Sequence, residues 1–565
     1  MKFSELVYSR PDTGAVLAAY AALTQRVQAA CSPSEITAVF AEHIQLDTDY
    51  SFMARLASIR YTIDTRDAFY TAEREHFDET DPTVGNAQLA LYRALLESPF
   101  RSALAEKYGE ILLTKMDLAV RSSDDRVLAL QQEENRLVSE YQKLYASFMV
   151  HFDGKDLTLP QLGVYKQGPD RAVRKAAYVA EGEWFDAHRT EFDELYSKLV
   201  ENRNAQAKAL GYHDYSELSY LRMGRIGYGP AEVKNYREQV LRDVVPVVHE
   251  LQKRRFARAG VPDAKFYDLP VFFADGNPRP HGTSGELLQR CRQMYHELSP
   301  ETSEFIDWMF ENECFDVLSK PGKAMGGYME EISGYGPFVF SNWNGTSGDV
   351  DVITHEMGHA FQGYVAHNLG LVPELSCPGM ESAEIHSMSM EFLTSPWHHL
   401  FFGPDTAKYQ LMHAEDSLFF LPYGCIVDEF QHIVYQHPEL TPEQRNQKWL
   451  ELEKRYRPWV DFDGIPFYGR GAGWQRQLHI YEMAFYYIDY CLAQTVALQF
   501  WARIQKDLPD AWAHYMAYTR QGGSRVFTEL LKNAELDSPF EESCLRGVCE
   551  EAKAWLDSYD LTGIA

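Results

Sequence analysis

The chain has 565 residues, 45% of them hydrophobic, and a formal net charge of −28. That composition is globular and supplies several cores or one large multi-lobed enzyme. The acidity excludes a nucleic-acid or anionic-membrane partner as an expectation, since both need a basic face. The opening MKFSELVYSRPDTG lacks the apolar core of a signal peptide, and no run of about 18 apolar residues suggests a membrane span. Eight scattered cysteines without a CxxC pair fit a reducing compartment, so a cytoplasmic location is expected.

In chain order, three-to-four apolar spacing predicts helices over residues 128–148, 172–210, 231–259 and 511–556. A Gly, Pro and Lys cluster over 154–168 marks a soft boundary. It predicts an N-terminal helical lobe, 1–160, and a catalytic region, 161–565. Strand signals are few: PFVFSNW over 337–343, and a weaker candidate over 267–273. The predicted fold is mostly α. The strand 337–343 reads equally well as a structural strand or as an exposed edge that pairs with an extended peptide.

His355-Glu356-Met357-Gly358-His359 matches H-E-x-x-H. Residues i and i+4 share one helix face, so both imidazoles reach one Zn²⁺, with Glu356 placed to take a proton from the attacking water. A third protein ligand is needed. After a Gly- and Pro-marked connection, residues 380–392 form a second helical pattern that carries Glu381, Glu384, His386 and Glu391. Glu384 and Glu391 lie seven residues apart on one face: one can bind metal while the other supports a ligand, and spacing does not rank them. Further on, Gly469, Gly471 and Gly473 predict a flexible loop, followed by an aromatic helix bearing His479, Tyr481, Tyr486, Tyr487 and Tyr490. A Tyr hydroxyl or His N–H there can stabilise a tetrahedral oxyanion.

HEMGHAFQ, with Glu384 25 residues after His359 in ESAEIHSMSME, resembles the oligoendopeptidase F and thimet oligopeptidase family of zinc metallopeptidases, including its bacterial oligoendopeptidase F-like and Pz-peptidase branch. The resemblance runs from about residue 160 onward. It implies a two-lobed, zincin-like helical fold with a deep central cleft and a small β-sheet at the cleft edge. It implies one Zn²⁺ per chain held by His355, His359 and Glu384, with Glu391 supporting a ligand and Glu356 catalytic. His479, Tyr487 and Tyr490 match the family's substrate-orienting histidine and tyrosines, with one residue deleted between His479 and Tyr487. Tyr481 and Tyr486 stand in reserve as substrate-binding residues, with Gly471, Gly473, Phe340 and Asn342. Short oligopeptides are the implied substrates, with no nucleic acid, membrane or obligate protein partner. A metallo-exopeptidase and a non-catalytic peptide-binding protein are the alternatives.

Overall fold

The computed structural model describes every residue except Pro321, Pro378, Gly563 and Ala565. Helices dominate it, as the periodicity predicts, and many begin where a side chain satisfies the first free amides. Asp67 accepts from the amides of Phe69 and Tyr70, Asp170 from those of Ala172 and Val173, and Thr441 forms a capping box with Gln444. The span 172–210 is two helices, Arg171–Ala187 and Arg189–Leu210, joined at His188. The span 231–259 is interrupted by a π-helical turn, Val240–Val244, just before Pro246. Proline has no N–H and its ring crowds the carbonyl four residues back, so the helix widens there. The span 511–556 is three helices, Leu508–Thr519, Phe527–Asn533 and Cys544–Ser558. Over 267–273 no strand forms. A 3₁₀ turn, Phe266–Asp268, stands in its place, held by Asp268 accepting from the Lys265 amide and the Arg171 and Arg174 guanidiniums.

Two large hydrophobic cores and a small one (Phe256, Ala259, Val261 and Val271) are found among the described residues. One large core gathers residues from Val16 to Met116, with Leu375. The other holds most of the buried residues from Leu137 onward, including Tyr141 and Phe148, and takes in Phe3, Leu6, Leu56 and Ile59. The helix Leu128–Ala146 thus belongs to the larger core, where Tyr141 stacks on Tyr481 at 3.9 Å. The cores therefore part between Met116 and Leu137, earlier than the predicted boundary at 160, because the Gly-rich segment there closes a hairpin rather than a linker. That hairpin pairs β1 (Val150–Phe152) with β2 (Lys155–Leu157), and its turn residues Asp153 and Gly154 both take positive φ.

The second sheet holds β3 (Phe315–Leu318), β4 (Tyr328–Ile332) and β5 (Gly336–Trp343) in the order β3-β5-β4. The predicted strand at 337–343 is therefore the central one, parallel to β3 and antiparallel to β4. β3 and β4 are the two edges, each paired with β5 alone among the described residues, and β4 is the edge that lies beside the helix carrying the H-E-x-x-H motif.

The lobes meet over a cavity of about 830 Å³, lined among others by Lys115, Glu134, Arg222, Met380 and Glu482. They are tied at the connection 370–379: the Glu374 carboxylate meets His43 Nε2 at 3.0 Å and accepts from the Tyr92 hydroxyl at 2.8 Å, while Lys115 Nζ donates to the Glu374 carbonyl at 2.8 Å. Among the described residues no helix is long and apolar enough to cross a membrane.

Candidate active site

The H-E-x-x-H residues lie on the helix Gly348–Asn368, and the second acidic pattern forms the helix Met380–Leu393. Gly358 lets the two helices touch. A Cβ there would stand 2.6 Å from both the His386 carbonyl oxygen and the Ser387 Cα, so any side chain would push them apart. At this close approach Glu384, 2% exposed, sets its Oε2 3.2 Å from His355 Nε2 and 3.4 Å from His359 Nε2. One potential ligand atom from each of the three residues lies within 4.8 Å of the others.

Glu391 sits behind this cluster. Its Oε1 meets His355 Nδ1 at 2.8 Å and its Oε2 meets His413 Nε2 at 2.8 Å, His413 coming from the helix Thr406–Gln436. A carboxylate on Nδ1 fixes the ring orientation and turns Nε2 toward the cluster. The two glutamates that spacing left unranked are thus separated by geometry. The donor set of two imidazole nitrogens and one carboxylate oxygen fits a catalytic zinc centre with a position to spare. Burial opposes the Glu384 charge, but the neighbouring His359 and His355 outweigh it and hold the carboxyl well below its usual range. Burial likewise opposes a charge on His355, and Glu384 and Glu391 outweigh it.

Glu356, 7% exposed, faces β4. Val339 lies opposite Met329 and donates its N–H to the Cys314 carbonyl, so the Met329 amide is turned away from β5. That amide faces the Glu356 carboxylate and favours its charged form. Burial raises the Glu356 carboxyl, against the opposing pull of His355 and His359.

The other wall comes from the segment after the glycine loop. His479 stands on the short helix Leu478–Glu482, and its Nε2 lies 3.4 Å from the Tyr490 hydroxyl. Gln477 fixes the His479 tautomer. Its Oε1 accepts from Tyr423, so its NH₂ points at His479 Nδ1 at 2.9 Å, and the ring proton is left on Nε2. Burial pushes the His479 pKa down to about 4, against the opposing Glu384 charge, so the ring is a neutral donor. The Tyr486 hydroxyl donates to Glu384 Oε1.

Tyr487 stands in the same wall: its ring packs edge-on to His479 at 5.1 Å and to Tyr490 at 5.5 Å, with Phe420 and Tyr423 behind it at 5.7 and 5.8 Å. The other predicted residues lie away from the cluster. Tyr481 is wholly buried and donates to the Phe192 carbonyl. Gly471 (φ +85) lies where a Cβ would stand 2.3 Å from the Asn446 carbonyl oxygen, and Gly473 opens a 3₁₀ turn, Gly473–Arg476. The glycine loop is therefore a packed corner, and Gly471 is required for close approach rather than for flexibility. Phe340 is buried in β5 and stacks on Tyr328, and Asn342 donates to the carbonyls of Ala324 and Gly326, which anchors the approach to β4. Sequence reasoning passed over His413, Gln477 and the Met329 amide. None carries a local signal, although the small residue inside H-E-M-G-H could have flagged Gly358.

Residues 164–549 match peptidase family M3, and residues 3–123 match the peptidase M3 N-terminal domain. The chain belongs to peptidase family M3. This M3 peptidase is similar to an oligoendopeptidase F homolog of Lactococcus lactis, 20% identical over 72% of this chain and 70% of the relative. Among solved structures it is similar to a Pz peptidase A determined with an inhibitor, 45% identical over 99% of this chain and 100% of that one, with a TM-score of 0.96. A structure from Bacillus anthracis described as an oligoendopeptidase F is 41% identical, covers 100% of this chain and 99% of that one, and has a TM-score of 0.91. The mostly helical fold with small sheets is that of these peptidases.

Proposed function

We propose that this peptidase is a zinc-dependent endopeptidase that cuts internal bonds of short oligopeptides. The observation that carries the reading is the convergence of His355, His359 and Glu384 on one buried point, with Glu356 between that point and the open edge of β4. His355, His359 and Glu384 would hold the metal, one per chain, with Glu391 orienting His355. Bound there, zinc supplies a Lewis acid that polarises the scissile carbonyl and acidifies water.

The chain's own residues supply the rest. Glu356 takes a proton from the attacking water and delivers it to the leaving amine. The His479 Nε2–H and the Tyr490 hydroxyl face the developing oxyanion. Tyr487 packs edge-on to His479 in this wall, while Tyr486 spends its hydroxyl proton on Glu384 and so orients that carboxylate. The open edge of β4 offers main-chain hydrogen bonds to an extended peptide, a sequence-tolerant mode of binding.

The test is mass spectrometry of products from a mixed peptide pool, together with a fluorogenic peptide blocked at both ends. Internal cleavage of the blocked peptide, abolished by a chelator and restored by Zn²⁺, is the expected result. Release of terminal residues alone would make the chain an exopeptidase. Stoichiometric zinc with no turnover on any peptide would leave it a binding protein.

A further inference from the structure

His479 and Tyr490 are eleven residues apart. On one continuous helix they would stand about 16 Å apart along the axis. They meet because the predicted aromatic helix is broken: Leu478–Glu482 ends, residues 483–486 turn, and Tyr487–Ile504 begins. The turn depends on Phe485, a non-glycine residue with φ +69. A β-carbon disfavours that left-handed conformation, so something outside the segment must hold it.

Both backbone groups of Phe485 are gripped by buried side chains. Its N–H donates to Gln431 Oε1 at 2.9 Å, and Gln431 is itself fixed by donating to the Val427 carbonyl at 3.0 Å. Its carbonyl accepts from Arg225 Nη2 at 2.6 Å. The same Nη2 donates to Asp489 Oδ1 at 2.7 Å, and the Arg225 and Asp489 side chains have no exposure to solvent. Arg225 is steadied by lying over the Tyr220 ring at 4.3 Å. One guanidinium therefore binds the kink and the residue immediately before Tyr490. The Phe485 ring packs on His432 and Tyr435, which fixes the kink from the side. Tyr486 follows the kink directly and reaches Glu384.

We propose that Arg225, with Gln431, is a positioning residue: it holds the Phe485 kink and so keeps Tyr486 and Tyr490 in register over the His355–His359–Glu384 cluster. This rests on the reading of His479 and Tyr490 as the oxyanion-facing wall and of Tyr486 as the partner that orients Glu384. Arg225 touches no reacting atom and acts only through those tyrosines.

Arg225→Lys tests it, since lysine keeps the charge but its ammonium ends one atom short of the Nη2 position that meets both the Phe485 carbonyl and the Asp489 carboxylate. The full-length zinc-loaded protein is expected to keep its metal, lose kcat by roughly 30-fold or more and hold KM within about 3-fold. In a Tyr490→Phe background the same change is expected to cost less than about 3-fold, because the two act as one unit. A kcat near wild type, or an undiminished loss in the Tyr490→Phe background, overturns the proposal. Should Arg225→Lys not fold, Gln431→Met, which removes only the grip on the Phe485 N–H, is read by the same cycle and the same limits. Wild-type kcat in both Tyr486→Phe and Tyr490→Phe overturns the reading of the wall, and the positioning role with it. Loss in those two variants with full activity in Arg225→Lys and Gln431→Met overturns the positioning role alone.

Discussion

The Tyr486 hydroxyl donates to Oε1 of Glu384, the carboxylate whose Oε2 faces both His355 and His359. One buried phenol therefore sets the rotation of the carboxylate between the two imidazoles. Burial, with the adjacent Glu384 charge, raises the Tyr486 pKa well above its usual value, so it stays a neutral donor. Tyr486→Phe is expected to weaken metal binding about 10- to 100-fold, the usual cost of losing a partner to a ligand. Competition against a chromophoric chelator measures it, and unchanged affinity would remove Tyr486 from this role.

Glu356→Gln keeps the shape and burial of the side chain but removes its basicity. Metal content is expected to stay at one per chain, while kcat falls by about 10²- to 10⁴-fold. Near-normal turnover with metal bound would end the assignment of Glu356 as the proton carrier.

Glu384 and Glu391 make different demands on the same substitution. Glu384→Gln is expected to abolish stoichiometric metal binding, because it removes a charged ligand atom. Glu391→Gln is expected to lower affinity by about 10- to 100-fold, because it weakens only the grip on His355 Nδ1. Metal titrations that gave the opposite ranking would exchange the two roles.

Gly358→Ala inserts a methyl where the His386 carbonyl and the Ser387 Cα already stand. Backbone atoms have no rotamer to give, so the two ligand helices must separate. A stability loss of about 1–3 kcal/mol is expected from the overpacking. Because the displaced helices carry His355 and His359 on one side and Glu384 on the other, metal affinity should fall as well. Denaturant unfolding and metal titration check both, and a variant unchanged in either would show that the helices can yield without moving the site.

Glu331 on β4 gives a pH signature. Burial, with help from the neighbouring Glu330 charge, pushes its carboxyl up to about 8. One oxygen has no hydrogen-bond partner, and it lies where a Cβ on Gly363 would collide with it. In the fold this group prefers its proton, while the unfolded chain releases it near 4.5. Stability is thus full below that lower value and declines as pH rises toward 8. Relative to wild type, Glu331→Gln is expected to gain in melting temperature between pH 5 and pH 8 when both are measured metal-free. A difference that stays flat across that range would contradict the raised value.

The sequence by itself determined the parts whose information is local. The H-E-x-x-H spacing placed two imidazoles on one helix face, the second helical pattern offered Glu384 and Glu391, and apolar periodicity made the chain mostly α. Each is a statement about residues within two turns of one another, where backbone geometry alone fixes which side chains share a face. The tertiary structure decided the rest. It set Glu384 beside both imidazoles and Glu391 behind His355 through the approach at Gly358, and it brought in His413 from a helix with no motif of its own. It made the strand at 337–343 central, with β4 at an edge, and it turned the Tyr486 hydroxyl onto Glu384 through a kink at Phe485 that no propensity announces. Those choices hang on partners distant in sequence, Arg225 and Gln431 among them, and a helical period carries no record of what packs against it from elsewhere in the chain.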